Sequence, residues 1–260
     1  MDDQQTQQPS ASLNRALKLG FKGAYDSLGY VAGASFMVFL ATAAVFGIMR
    51  LVLPLLPSAF GVLLIIPVLF VAWIGTVGVF YYVKKSVFHE HPAPHDTLEG
   101  IKRLAVPAVL MFVADLLIST LLIGDVAFFV LAFRSKGGIA LAALSMLSAY
   151  IGLMWMLMCL YHLPVMMMQL EMESAPTPKK IIYKSFLLAA DNPAFTVGLF
   201  VVIIAFATLC ALPAMLGMAL LFPGTAAFVL TYSLRELYIK YDVVEPESEV
   251  VEDKPWTLGD

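Results

Sequence analysis

Charge is scarce in this chain. Only 13% of its 260 residues are Asp, Glu, Lys or Arg, and a soluble fold of this length needs far more polar surface than that. Cysteine is nearly absent. The two present, Cys159 and Cys210, lie inside apolar runs, with no CxxC or histidine-rich spacing beside them. They read as small packing residues rather than a metal or redox pair. Period-two alternation is also missing, which disfavours a membrane β-barrel. No Walker sequence, nucleophile elbow, HExxH or dinucleotide fingerprint occurs, so enzymatic activity is not expected. No cofactor, bound metal or nucleic-acid partner is implied.

What is present is apolar. Sixty per cent of the residues are hydrophobic, the mean hydropathy is +0.86, and runs long enough for transmembrane helices nearly abut. The pattern predicts an all-α, polytopic bundle of six spans arranged as three hairpins, each preceded by a cytoplasmic amphipathic helix. The amphipathic segments begin near Ser12, Pro94 and Pro176, 82 residues apart both times. The spans are expected at about 30–53, 59–83, 105–131, 139–168, 194–212 and 213–233 within a domain covering 12–241. Residues 1–11 and the acidic tail 242–260 read as disordered. The polar start is too long for a cleaved signal peptide, so the first span is expected to remain as an anchor.

Local signals refine this outline. Leu13, Leu17, Phe21, Ala24 and Leu28 share a face of the first amphipathic helix, which is expected to lie in the headgroup plane. Pro54 and Pro57 mark a turn, and HEHPAPH ends span 2. Asp96 with Glu99 has capping-box spacing, with Leu98, Ile101 and Leu104 as the apolar face of that helix. Thr177-Pro178 opens the third unit, Asp191-Asn-Pro193 closes its amphipathic helix, and Pro223-Gly224 is expected to kink span 6.

Orientation follows from the basic residues. Six spans put thirteen of the sixteen Lys and Arg on one face and leave only Arg50, Arg134 and Lys136 on the other. That predicts cytoplasmic termini in a bacterial inner membrane. A basic interface is formed by Arg15, Lys18, Lys22, Lys102, Arg103, Lys179, Lys180 and Lys184. Its partners are the lipid bilayer, through anionic headgroups, and a membrane-protein partner.

Two intramembrane residues stand out as functional candidates. Asp115 falls near mid-membrane, where a carboxylate is costly unless neutralised, paired or wetted. It reads either as a proton or cation relay or as a hydrogen-bonded knot in the bundle. His162 falls at similar depth on span 4, so an Asp–His pair is one outcome. A lone histidine also suits haem or pigment ligation, but without a second ligand it reads better as an interface residue. The methionines of span 4, Met146 to Met168, read as packing filler or lipid-facing residues. His89, His91 and His95 read as solvated loop residues.

Four segments carry a family resemblance: TVGVFYYVKK ending at Lys85, TLEGIKR ending at Arg103, LYHLPV ending at Val165 and KSFLLAA ending at Ala190. Across roughly residues 60–241 the chain resembles the YesL-like family of uncharacterised bacterial membrane proteins. The resemblance implies an accessory role near a permease, because some members are linked to carbohydrate use. It supplies no catalytic or binding residues. Two functions follow as expectations: a non-catalytic scaffold or accessory subunit, or a small transporter or channel with Asp115 in its pathway. The orientation has a direct check. A C-terminal reporter active only in the cytoplasm is expected to be active, and a silent reporter contradicts the six-span reading.

Overall fold

The computed structural model describes residues 11–55, 64–88, 90, 92–170, 176–212 and 215–244. Most of the two segments expected to be disordered lies outside the described residues, as do His89 and His91. Among those described, the regular structure is helical and contains no strand. This is the arrangement lipid enforces, since a helix satisfies its backbone polar groups internally. The long elements are α1 (Leu13–Asp26), α2 (Leu28–Val52), α3 (Ile65–Val87), α4 (Asp96–Lys136), α5 (Ile139–Gln169), α6 (Pro178–Asp191) and α7 (Pro193–Ala211). A short α8 (Leu216–Leu220) and α9 (Phe222–Lys240) follow. Five of them, α2, α3, α4, α5 and α7, are long and apolar enough to cross a membrane.

The core gathers at one end of the bundle, the end that carries Lys84, Lys85, Arg235 and Lys240. There α3 is buried continuously from Val77 to Val83, α5 from Tyr161 to Gln169, and α9 on nearly every side. At the far end the packing opens. From residue 113 of α4 to residue 154 of α5 no residue is buried, and Leu117, Leu121, Phe128, Met146 and Tyr150 are all well exposed. Such a row of exposed apolar side chains is stable only against lipid or another apolar surface.

α9 is the post around which this core is built. Gly20 of α1 leaves so little room that a Cβ there would stand 2.7 Å from Val229 Cα, and one on Gly224 would stand 3.0 Å from Val31 Cα. Ser35 Oγ accepts from the Gly224 amide at 3.0 Å. Higher residue numbers on α1 and α2 meet lower ones on α9, so the helices run antiparallel. Ala16, Gly20 and Ala24 form the buried face of α1, a small-residue stripe that lets two backbones approach closely.

Several sequence expectations are corrected here. The first amphipathic helix docks through Ala16, Gly20 and Ala24, with Leu13 and Leu17 packed against the core, while Phe21 and Leu28 are exposed. The second amphipathic helix is not separate from span 3, because α4 runs unbroken for 41 residues, about 60 Å. Its only internal breaker, Pro107, lies close to the basic end. The buried face of that region is Asp96, Gly100, Leu104 and Ala108, while Leu98 points outward. Gly100 selects this face because only a glycine fits beneath Tyr81. The capping box does not form. His95 is the N-cap, Asp96 bonds backward to the Ala93 amide at 2.7 Å, and Glu99 pairs with Arg103 at 2.8 Å. Finally, Pro223 does not kink a span. It occupies the first turn of α9, where a missing N–H costs nothing.

Met166, Met167 and Met168, pointing three ways around α5, are all buried, whereas Met146 and Met156 are exposed. Gly137 and Gly138 make the α4–α5 turn at φ 67° and 101°, conformations for which glycine is suited.

Candidate functional site

The structure brings Asp115 and His162 together. They lie on neighbouring antiparallel helices, α4 and α5, at the level where the tight core gives way to the open hairpin. His162 Nδ1 stands 3.0 Å from Asp115 Oδ1. The ring is 1% exposed. The approach is close but poorly directed: neither imidazole nitrogen has an aligned hydrogen-bond partner among the described residues. The contact leaves hydrogen-bonding capacity unused on both residues.

Trp155, which sequence reasoning passes over, and Cys159, which it reads as a packing residue, complete the neighbourhood. Trp155 Nε1 donates to Ser119 Oγ at 2.9 Å, and its ring meets His162 edge-on with centroids 5.3 Å apart. Cys159 lies between them on α5. Trp155, Cys159 and His162 are spaced i, i+4, i+7, a single helical stripe, and Asp115 and Ser119 are one turn apart on α4. That stripe was available in the sequence as a signal. Asp125, a second α4 carboxylate, is exposed and lies about 15 Å further along the helix, outside this cluster.

Several other polar groups at membrane depth are matched to one another, whereas the Thr231 and Ser233 hydroxyls and the Gln169 amide are buried without a hydrogen-bond partner among the described residues. Tyr161 and Thr196 share a hydrogen bond of 2.8 Å, Thr196 Oγ1 donates to the Asn192 carbonyl, and Trp73 Nε1 donates to the Ala108 carbonyl at 3.0 Å. Tyr30 bonds Thr97 at 2.9 Å and stacks on Tyr82. Satisfying such groups inside the protein is what an apolar solvent demands.

At the basic end, charged groups join the helices. Lys84 pairs with Glu90 at 2.9 Å and Lys85 with Asp96 at 2.8 Å, which fastens α3 to the start of α4. The Ala93 amide and then Lys85 hold the Asp96 carboxyl below its ordinary value of 3.8. Arg15 of α1 reaches Glu236 of α9 at 3.3 Å. Asn192 accepts from Lys240 at 2.7 Å and donates to the Tyr241 hydroxyl. Tyr241 also donates to Asp191, which lowers that carboxyl. Arg235 lies over the Phe88 ring.

The expected basic interface is spread over this same end. Lys18, Lys22, Lys102, Lys179 and Lys180 are exposed, Arg15 and Arg103 are exposed with acidic partners, and Lys184 is half-buried. Lys184 borders a cavity of about 460 Å³ lined by Leu187, Leu188, Asp191, Tyr238, Tyr241 and Val243. A smaller cavity of about 240 Å³ lies beside Arg50, Leu53 and Leu64 at the far end.

Fold and site together define a multi-spanning, all-α integral membrane protein with a buried Asp–His contact at membrane depth. Compared with family models, curated proteins and solved structures, the chain matches none of them.

The Asp96 latch has a pH signature. A carboxyl depressed in the fold stabilises above its unfolded value, and the stabilisation is lost as pH falls through the folded value. In detergent at pH 7, Asp96→Asn is expected to lower the unfolding midpoint by roughly 2–6 °C, the effect of about 1–2 kcal/mol at this chain length. The gap from the wild type closes as pH drops well below 3.8. A gap that is the same size in acid contradicts the assignment.

Proposed function

We propose that this chain is a non-catalytic, six-span protein of a bacterial inner membrane, with both termini cytoplasmic. In this reading it serves as a scaffold or accessory subunit of a membrane complex or permease. The sixth span, expected at 213–233, then runs through α8 and the apolar part of α9, and the charged end of α9 lies at the basic face.

The observation that carries the reading is how polar groups at membrane depth are used. Asp115 faces His162, Trp155 bonds Ser119, Tyr161 bonds Thr196, and Ser35 bonds the backbone of α9. A solute path needs polar groups turned toward a continuous cavity, whereas the cavities at Lys184 and at Arg50 lie at opposite ends of the bundle. The basic helices and the acidic C-terminal segment offer charged surfaces to a partner, and the YesL-like resemblance supports a place beside a permease.

Purification in a gentle detergent followed by mass spectrometry tests this. A stoichiometric membrane-protein partner is the expected result. Recovery of the protein alone, with proton or cation flux in reconstituted vesicles that Asp115→Asn abolishes, overturns the reading in favour of a transporter.

A further inference from the structure

We propose that Asp115, Cys159 and His162 form a binding site for one zinc-class divalent metal ion within the membrane. A carboxylate oxygen of Asp115, the sulfur of Cys159 and an imidazole nitrogen of His162 all lie within 4.8 Å of one another. Cys159 and His162 are three residues apart on α5, so one face of the helix presents both. Asp115 comes from the antiparallel α4.

Chemistry and geometry agree on the class of ion. Thiolate, imidazole and carboxylate are the three ligand types that zinc combines, at about 2.3 Å for sulfur and about 2.0–2.2 Å for nitrogen and oxygen. Tetrahedral ligands at those lengths stand about 3.3–3.7 Å apart. From the 4.8 Å bound the sulfur has to close by up to about 1.5 Å, while the His162 Nδ1–Asp115 Oδ1 pair already stands at 3.0 Å. The softness of the thiolate selects against magnesium and calcium.

His162 supplies the independent observation. It is 1% exposed, yet neither ring nitrogen has an aligned protein partner among the described residues. A buried imidazole with unused nitrogens is destabilising unless something occupies them. A metal does so, and it also solves the charge problem at this depth. One carboxylate, one thiolate, one neutral imidazole and a divalent cation sum to zero, the value that lipid tolerates best. The thiol proton leaves when the ion binds.

Access and support are both present. Cys159 is open at the bundle surface, which leaves room for a fourth ligand on that side. Trp155, bonded to Ser119 and set edge-on against His162, holds α4 and α5 in the register that brings the three ligands together.

The test is cobalt substitution on the full-length protein, purified without a histidine tag and stripped of metal. Cobalt added to the wild type is expected to produce an intense thiolate-to-metal charge-transfer band at one equivalent. Cys159→Ser, nearly isosteric and at the bundle surface, should abolish the band, while Cys210→Ser should leave it intact. Asp115→Asn and His162→Gln should weaken cobalt affinity by no less than the ~10–100-fold that loss of an outer-shell partner causes. Absence of the band in the wild type, its survival in Cys159→Ser, or its loss in Cys210→Ser overturns the proposal. Unchanged helical circular dichroism confirms that each variant is folded.

Discussion

The close approach of α9 to α1 and α2 is the constraint on which the rest of the bundle depends. Gly20 lies against the backbone of Val229, Gly224 against that of Val31, and Ser35 caps the Gly224 amide. No side chain larger than hydrogen fits at the two glycines without displacing backbone. Once α9 is held there, α3, α5 and α7 close around it, and its whole circumference becomes interior. α9 is accordingly less apolar than α2, α3, α4, α5 and α7. Thr225, Thr231, Ser233, Arg235 and Glu236 are all buried in it, and protein rather than hydrocarbon surrounds them.

The bundle consequently has two halves with different physics. The half at the basic end is a packed protein interior, closed by the Lys85–Asp96, Arg15–Glu236 and Lys240–Asn192 contacts. In the other half the α4–α5 hairpin stands clear, with no residue buried from 113 to 154, while α8 still packs closely on α2 and α7. The Asp115–His162–Cys159 cluster sits on the boundary between them. It is rigid on the α5 side, where His162 is enclosed, and open on the side of Cys159. A partner or a fourth ligand arriving from the membrane meets the protein at this level.

The helical class was legible in the sequence because it follows from composition and run length alone. The α4–α5 turn at Gly137-Gly138 and the break between α6 and α7 at Asn192-Pro193 were also legible, since each depends on residues adjacent in the chain. What was not legible depends on rotation about a helix axis. Leu98, Phe21 and Leu28 look like core residues by polarity, but in a membrane an apolar side chain is equally stable facing out. The small residues Ala16, Gly20, Ala24 and Gly100 decide the packing instead. Depth placed Asp115 beside His162 in outline, whereas Cys159 read only as a packing residue because its neighbour Asp115 is 44 positions away in the chain. The capping box failed for a similar reason: Asp96 had a stronger partner in Lys85, on a helix that the local pattern does not include.

The central claim is that α1 lies antiparallel along α9, and chemical cross-linking tests it most directly. With both native cysteines replaced by serine, Arg15→Cys and Glu236→Cys are combined in one chain and treated in native membranes with a short bifunctional thiol reagent. The account predicts efficient intramolecular cross-linking of this pair and none between Arg15→Cys and Arg134→Cys. Failure of the first pair to cross-link, or equal cross-linking of both, would contradict it.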